Sequence, residues 1–341
     1  MFNKINLQLF AEVGATNTTA TLTAEMQIHY DKTLIQKAGP KLIHEKFAEK
    51  RKIPLRAGMT ADFRCVEALP KLTTPIQEGV TPAPGSLVVT NKRATVKQYG
   101  GFVPVTDVLD MTAADPLIVE TTEKSGEQMG LTRDTLLRDL LNTGTHVFYA
   151  PSVDGDVITP VSSRENLTAN SNLTVRLVQK VVARLKMMNA PTFDGDYICI
   201  LNPAVATDIM NDKLWREAYT YTTPENIRAG ELGRIAGVRF YDSSEAKIWN
   251  NEKDPNSKCP DGLSVYSCLF FGKGAFATTD LEGQGGGEVI VKPKESGGTA
   301  NPLNLYGTIG WKTLFAGVIL SDEYLVRVEC CSTDFPNAPA N

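Results

Sequence analysis

The chain has 341 residues, 42% hydrophobic and 22% charged, the proportions of a folded globular protein rather than a disordered or fibrous one. A prior of about 150 residues per domain suggests two domains, or one large irregular one. With 35 basic against 39 acidic residues the formal net charge is −4, which argues against a protein whose main work is gripping phosphate backbones through a basic surface.

No apolar run approaches the roughly 20 residues of a membrane helix. Near the start, Leu7, Leu9 and Phe10 are interrupted by Asn6 and Gln8, unlike the core of a signal peptide. Cysteines at 65, 199, 259, 268, 330 and 331 show no CxxC spacing and read as free thiols of a cytosolic product.

Residues 12–23 are small and polar, the composition of a flexible arm. Met26, Tyr30, Leu34 and Ile35 follow near helical spacing and stop at Gly39-Pro40. A second short helix is expected over residues 41–50, burying Leu42, Ile43 and Phe47. From residue 52 to 107 the composition shifts to β-branched residues, prolines and turns, and residues 60–69 and 87–105 read as strands of a long hairpin. Its second strand offers Arg93, Thr95, Lys97 and Tyr99 on one face and Ala94, Val96 and Gln98 on the other, so neither is a convincing core face. A hairpin without its own core is marginal in water, and this one is expected to rest on something outside its own domain.

Asp115-Pro116 combines a capping side chain with a proline that loses no needed donor, and opens a helix expected to run to Gly144 as C-terminal cap. That is about 28 residues, roughly 42 Å at 1.5 Å per residue. A further helix fits residues 174–189, with Leu177, Val178, Val181, Leu185 and Met188 on one stripe. A buried strand YICIL follows at 197–201, then a helix opened by Asn202-Pro203. Strands are expected at 238–242 and 265–271, loops at 243–262 and 281–302 around a short strand at 288–292, and two closing strands at 303–311 and 317–330. The alternation describes an α+β or α/β layer.

The search for chemistry returns little. His44-Glu45 resembles the opening of HExxH, but position 48 is alanine, so a surface histidine is the better reading. Asp154-Gly155-Asp156 and Asp194-Gly195-Asp196 lack the terminal Glu of a calcium loop and read as turns. The glycine-rich stretch from Gly272 to Ala277 follows an apolar strand and mimics GxGxxG/A, yet glycine-rich loop follows it rather than the helix such a fingerprint opens. It is expected to be a structural turn. No catalytic residue, cofactor site or metal site is assigned.

Taken in order, several stretches resemble the major capsid proteins of tailed bacteriophages, the phage N-four-like major capsid family with its HK97-type fold. They are NLQLFA at 6–11, AEMQIHYDKTLIQKAGP at 24–40, TTPIQEGVTP at 73–82, TVKQYGGFVPVTDVLDMTAADP at 95–116, RDTLLRDLLNTGTHVFYA at 133–150, ILNPAVATDIMND at 200–212, GRIAGVRFYDSSEA at 233–246 and YGTIGWKTLFAGVILSDEYLVRVE at 306–329.

The resemblance implies an α+β chain organised as an N-terminal arm (1–50), an extended β-hairpin loop (51–110), a peripheral domain (111–165 and 303–341) with a spine helix at 116–143, and an axial domain (166–302). It implies a major capsid protein that assembles as hexamers and pentamers into an icosahedral shell around double-stranded DNA. The expected partners are copies of itself, a separate scaffolding protein, a portal, and packaged DNA held without sequence-specific binding. No membrane and no cofactor is expected, and the location is the virion, assembled in the host cytoplasm. Inter-subunit contacts are expected at Phe10, Glu78, Gly79, Val80, Arg93, Lys97 and Tyr99. The alternatives are another virion structural protein, tail or decoration, and a nucleotide-dependent enzyme using the Gly272 to Ala277 loop.

Overall fold

The computed structural model describes residues 43–341 except 55, 57, 67–68, 70, 74, 76–77, 80, 82–84, 113–116, 156, 221–230, 252–256, 283–286, 295 and 297–300. The expected arm up to residue 42, the helix around Met26 and the Asp115-Pro116 cap lie outside the described residues.

In chain order the first elements are α1 (Ile43–Lys46), β1 (Glu49–Ile53), β2 (Thr60–Val66), β3 (Val89–Thr95), β4 (Lys97–Thr106), α2 (Asp107–Thr112) and the long helix α3 (Leu117–Leu141). Short strands β5 (Val147–Tyr149), β6 (Ser152–Asp154) and β7 (Val157–Thr159) precede α4 (Val175–Met187), β8 (Tyr197–Leu201), α5 (Pro203–Asn211) and α6 (Lys213–Thr220). The rest is β9 (Glu231–Ile235), β10 (Val238–Asp242), β11 (Ile248–Trp249), β12 (Val265–Phe271), β13 (Phe276–Leu281), β14 (Glu288–Lys292), β15 (Tyr306–Ile319) and β16 (Leu325–Cys330). The described chain divides into two units, residues 98–132 with 283–314, and residues 43–97 with 133–282 and 315–341.

The larger unit is built on a sheet ordered β5-β16-β12-β8-β10-β9, with β11 on β12. The apolar run YICIL is buried at all five positions, and so are all seven residues of β12. That is the pattern of strands covered on both faces. α4 supplies one cover. Thr174 caps it by accepting from the Leu177 N–H at 3.4 Å, and Val175, Leu177, Val178, Val181, Val182 and Leu185 are buried. Asn202 caps α5 at 3.0 Å through the Ala204 N–H, and Pro203 follows at its first turn. All six cysteines are free thiols and five are buried; burial pushes Cys199 upward and pushes Cys331 to about 12. In the smaller unit, β14 pairs antiparallel with residues 308–312 of β15, and Val105, Leu109 and Ile309 form a small cluster with Ile118 packed on it.

Several expectations need correction. The helix expected over residues 41–50 ends at Lys46, because from Glu49 the chain pairs in parallel with β13. The strand expected over residues 87–105 is two strands, divided at Val96, whose N–H donates to the Met59 carbonyl at 2.8 Å. The helical turn α2 after it was not anticipated.

Gly144 is not a left-handed cap, since its φ is not among the positive ones. A Cβ there would lie 3.1 Å from Leu325 and 3.2 Å from the Asp322 carboxylate, so close approach accounts for the glycine. The closing strands break at 320–324 rather than before Gly317, and β15 runs 14 residues through that glycine. At Gly317 a Cβ would meet Leu140 at 2.8 Å and Leu137 at 3.0 Å. Glycine here admits a neighbour instead of ending a strand.

Candidate inter-subunit interface

β2 and β3 form a sheet of two strands, in register from Thr60 opposite Thr95 to Val66 opposite Val89. The expectation that neither face is a core face holds for the distal part and fails at the base. Phe63, Ala94 and Val96 are 2–4% exposed, and the Arg51 guanidinium lies 5.0 Å from the Phe63 ring centroid. Beyond the base the pairing is held at the surface. Arg93 donates to Asp62 through Nε at 2.8 Å and Nη2 at 3.1 Å across directly opposed positions. Those hydrogen bonds, ahead of the charge attraction, hold the Asp62 carboxyl below its ordinary range.

Farther out the hairpin leaves apolar side chains in water. Val66, Leu69, Leu72, Leu87, Val88 and Val89 are between 48 and 90% exposed. Single exposed apolar residues are ordinary, whereas several on one hairpin make it a candidate interaction surface. Sequence reasoning named Glu78, Gly79, Val80, Arg93, Lys97, Tyr99 and Phe10 and did not single out this exposed group. Its signal was present in LVV at 87–89, but no alternation marked which side chains would face solvent.

The expected contact residues fall in different places. Glu78 and Gly79 are exposed in the turn, with φ of 79° at the glycine. Arg93 is on β3, already paired with Asp62, and Lys97 begins β4, exposed. Tyr99 belongs to the smaller unit and is half-buried. Val80 and Phe10 lie outside the described residues.

The rejected chemical motifs resolve into structure. The stretch from Gly272 is a turn into β13, with φ of 75° at Gly274. A Cβ at Gly272 would meet the Pro191 carbonyl at 2.5 Å, and the Lys273 N–H donates to that same oxygen at 2.8 Å. A strand follows where a dinucleotide fingerprint needs a helix. Gly155 turns β6 into β7, and Asp194-Gly195 forms a tight turn in which Phe193 bridges Asp196. Asp196 is buried and held by Arg234 at 2.8 Å and Arg239 at 3.0 Å.

His44 overturns the surface reading. It is fully buried, its ring Nδ1 2.8 Å from Asp134 on α3. Beside it Arg133 donates to Glu45 at 2.7 Å and to Asp280 at 3.2 Å. The pair that looked like a metal helix is a buried polar clamp between α1, α3 and β13.

The sequence profile of the phage capsid protein family matches residues 90–326, and the chain belongs to that family. No curated protein matches it. Among solved structures it is similar to the capsid of Ralstonia phage GP4, at 13% identity with TM-score 0.64 over 99% of this chain and 100% of that one. The capsid of cyanophage Pam1 aligns at 14% identity with TM-score 0.61, over 93% of this chain and 98% of that one. The SrpI encapsulin of Synechococcus elongatus PCC 7942 aligns at 11% identity with TM-score 0.54, over 96% and 100%. The fold is the HK97-type α+β capsid fold, and the chain is a capsid shell protein of the virion.

Proposed function

We propose that the chain is the major capsid protein, assembling with copies of itself as hexamers and pentamers into an icosahedral shell that encloses double-stranded DNA. The observation that carries this reading is the hairpin, whose base is buried and whose outer part exposes six large apolar side chains. Covering those side chains with another copy removes apolar area from water at about 25 cal/mol per Å². Contacts of this kind, repeated around rings, add up to a stable shell while each stays individually weak. The contact set is Glu78, Gly79 and Val80 at the tip with Arg93, Lys97, Tyr99 and Phe10, joined by the apolar residues from Val66 to Val89. The shell works by self-binding and performs no catalysis. A separate scaffolding protein and a portal complete assembly in the host cytoplasm.

Negative-stain microscopy of the purified chain, expressed with its scaffolding protein, tests this. Closed shells with six-fold and five-fold rings are expected. Discrete small oligomers that bind a nucleotide would favour the enzyme alternative, and tubes or rings without closure would favour a tail component.

A further inference from the structure

The outer face of α4 carries charge of one sign. Its sequence, VRLVQKVVARLKM, holds two arginines and two lysines and no acidic residue. The apolar stripe is turned into the core, which leaves Arg176, Lys180 and Lys186 exposed and Arg184 half-buried. Arg176, Lys180 and Arg184 recur at every fourth position, about 6 Å apart along the helix axis, with Lys186 on the other flank. α3 differs, since Lys124 there sits among Glu120, Glu123 and Glu127. Among the described residues no carboxylate forms an ion pair with any of the four α4 cations. Asp212, at the start of the helix, is engaged by backbone donors, accepting from the Val175 and Leu214 N–H groups at 2.8 and 3.0 Å. Glu217 on α6 lies 4.0 Å from Lys213. Lys180 is held over the Phe148 ring, its Nζ 5.4 Å from the centroid. Helix electrostatics explains only half of this pattern. Arg184 and Lys186 lie in the last turn, where cations complement the macrodipole, whereas Arg176 lies in the first turn, where the dipole disfavours them.

We propose that this face of α4 is a polyanion-binding surface whose partner is the phosphate backbone of the packaged double-stranded DNA. Cations on long stems along one helix meet phosphates without reading bases, because sequence is read at the base edges. Charge density selects the partner. A duplex offers one negative charge per about 1.7 Å of its axis, about twice what a fully extended polyglutamate offers at roughly 3.5 Å per residue. The net charge of −4 keeps the contact weak in a single copy, and repetition over the shell supplies the strength. The choice of packaged DNA rests on the proposed shell function, whereas the polyanion surface does not.

The test measures binding of the full-length unassembled subunit to a duplex of about 30 base pairs by fluorescence anisotropy, between about 50 and 200 mM salt. Four phosphate contacts predict a slope of about −3.6 in log K against log salt, a loss of roughly a hundredfold over that range. Lys180→Gln alone is expected to shrink the slope by about 0.9. Arg176→Gln, Lys180→Gln, Arg184→Gln and Lys186→Gln combined are expected to abolish saturable binding, with cooperative unfolding near the wild-type Tm and closed shells as in the wild type. A hairpin control, Arg64→Gln with Lys71→Gln and Lys92→Gln, is expected to keep the wild-type slope, since Arg64 and Lys92 lie on opposite faces of that hairpin. Polyglutamate of equal charge is expected to bind at least about tenfold more weakly than the duplex, in line with its lower charge density. A wild type that does not bind the duplex, binding that survives in the combined variant, or binding lost in the hairpin control overturns the α4 surface. So does a combined variant that folds and forms no shells, because the face is then a contact between subunits. Polyglutamate bound as tightly as the duplex overturns DNA as the partner. Failure of the wild type to assemble at all counts against the shell function, and the anisotropy measurement then still decides the surface.

Discussion

The seven-strand sheet of the larger unit and the hairpin of β2 and β3 are both β-rich, and they treat their apolar residues in opposite ways. In β12 all seven side chains are buried, and in β8 all five. On the hairpin, Val66, Val88 and Val89 stand about half exposed and Leu72 is 90% exposed. The sheet is buried within the chain, α4 being one of its covers, whereas the outer part of the hairpin leaves its apolar residues exposed. One region stabilises the subunit, and the other is the surface proposed to meet a partner. Substitutions in the two should accordingly separate stability from assembly.

The largest effect on stability is expected at Glu329. Glu329→Ala strips Arg164 and Arg327 of their shared buried carboxylate, and leaving buried charge unpaired costs about 3–5 kcal/mol. Chemical denaturation of the unassembled subunit measures it, and a loss no larger than that of a surface substitution would contradict the buried ionic reading. Next comes Gly317→Val, which forces a side chain into Leu137 and Leu140. Overpacking of this kind costs about 1–3 kcal/mol, read as a lower denaturation midpoint at unchanged slope. The smallest stability effect is expected at Leu72→Glu. That side chain is 90% exposed, so the Tm should stay at the wild-type value while shell yield falls. A lowered Tm with normal shells would reverse the comparison between the two regions.

Much of the larger unit was legible because its signals are local. YICIL is short, wholly apolar and followed by Asn202-Pro203, so burial, strand and the next helix cap could be read together. The stripe Leu177, Val178, Val181 and Leu185 likewise fixed the buried face of α4. What escaped depends on contacts distant in sequence. Gly144 was expected as a helix cap and Gly317 as the start of a closing strand, yet each is small because a side chain from elsewhere presses on it. His44 looked superficial because its partner Asp134 lies 90 positions away. The helix over residues 41–50 was overextended because the pairing of Glu49 with Ala277 leaves no mark in the local pattern. On the hairpin, the exposed face of Arg93, Thr95 and Lys97 was readable, whereas the burial of Ala94 and Val96 on the opposite face was not. Which apolar residues would stand exposed was not, since the turn-rich segment between its strands has no period to assign a face.

The most direct measurement is deletion of residues 74–86, the tip between the strands that carries Glu78 and Gly79, followed by microscopy and thermal unfolding of the same preparation. The account predicts a soluble subunit that unfolds cooperatively near the wild-type Tm and forms no shells, because the sheet core is intact and the partner-facing tip is gone. Normal closed shells from the shortened chain would contradict it.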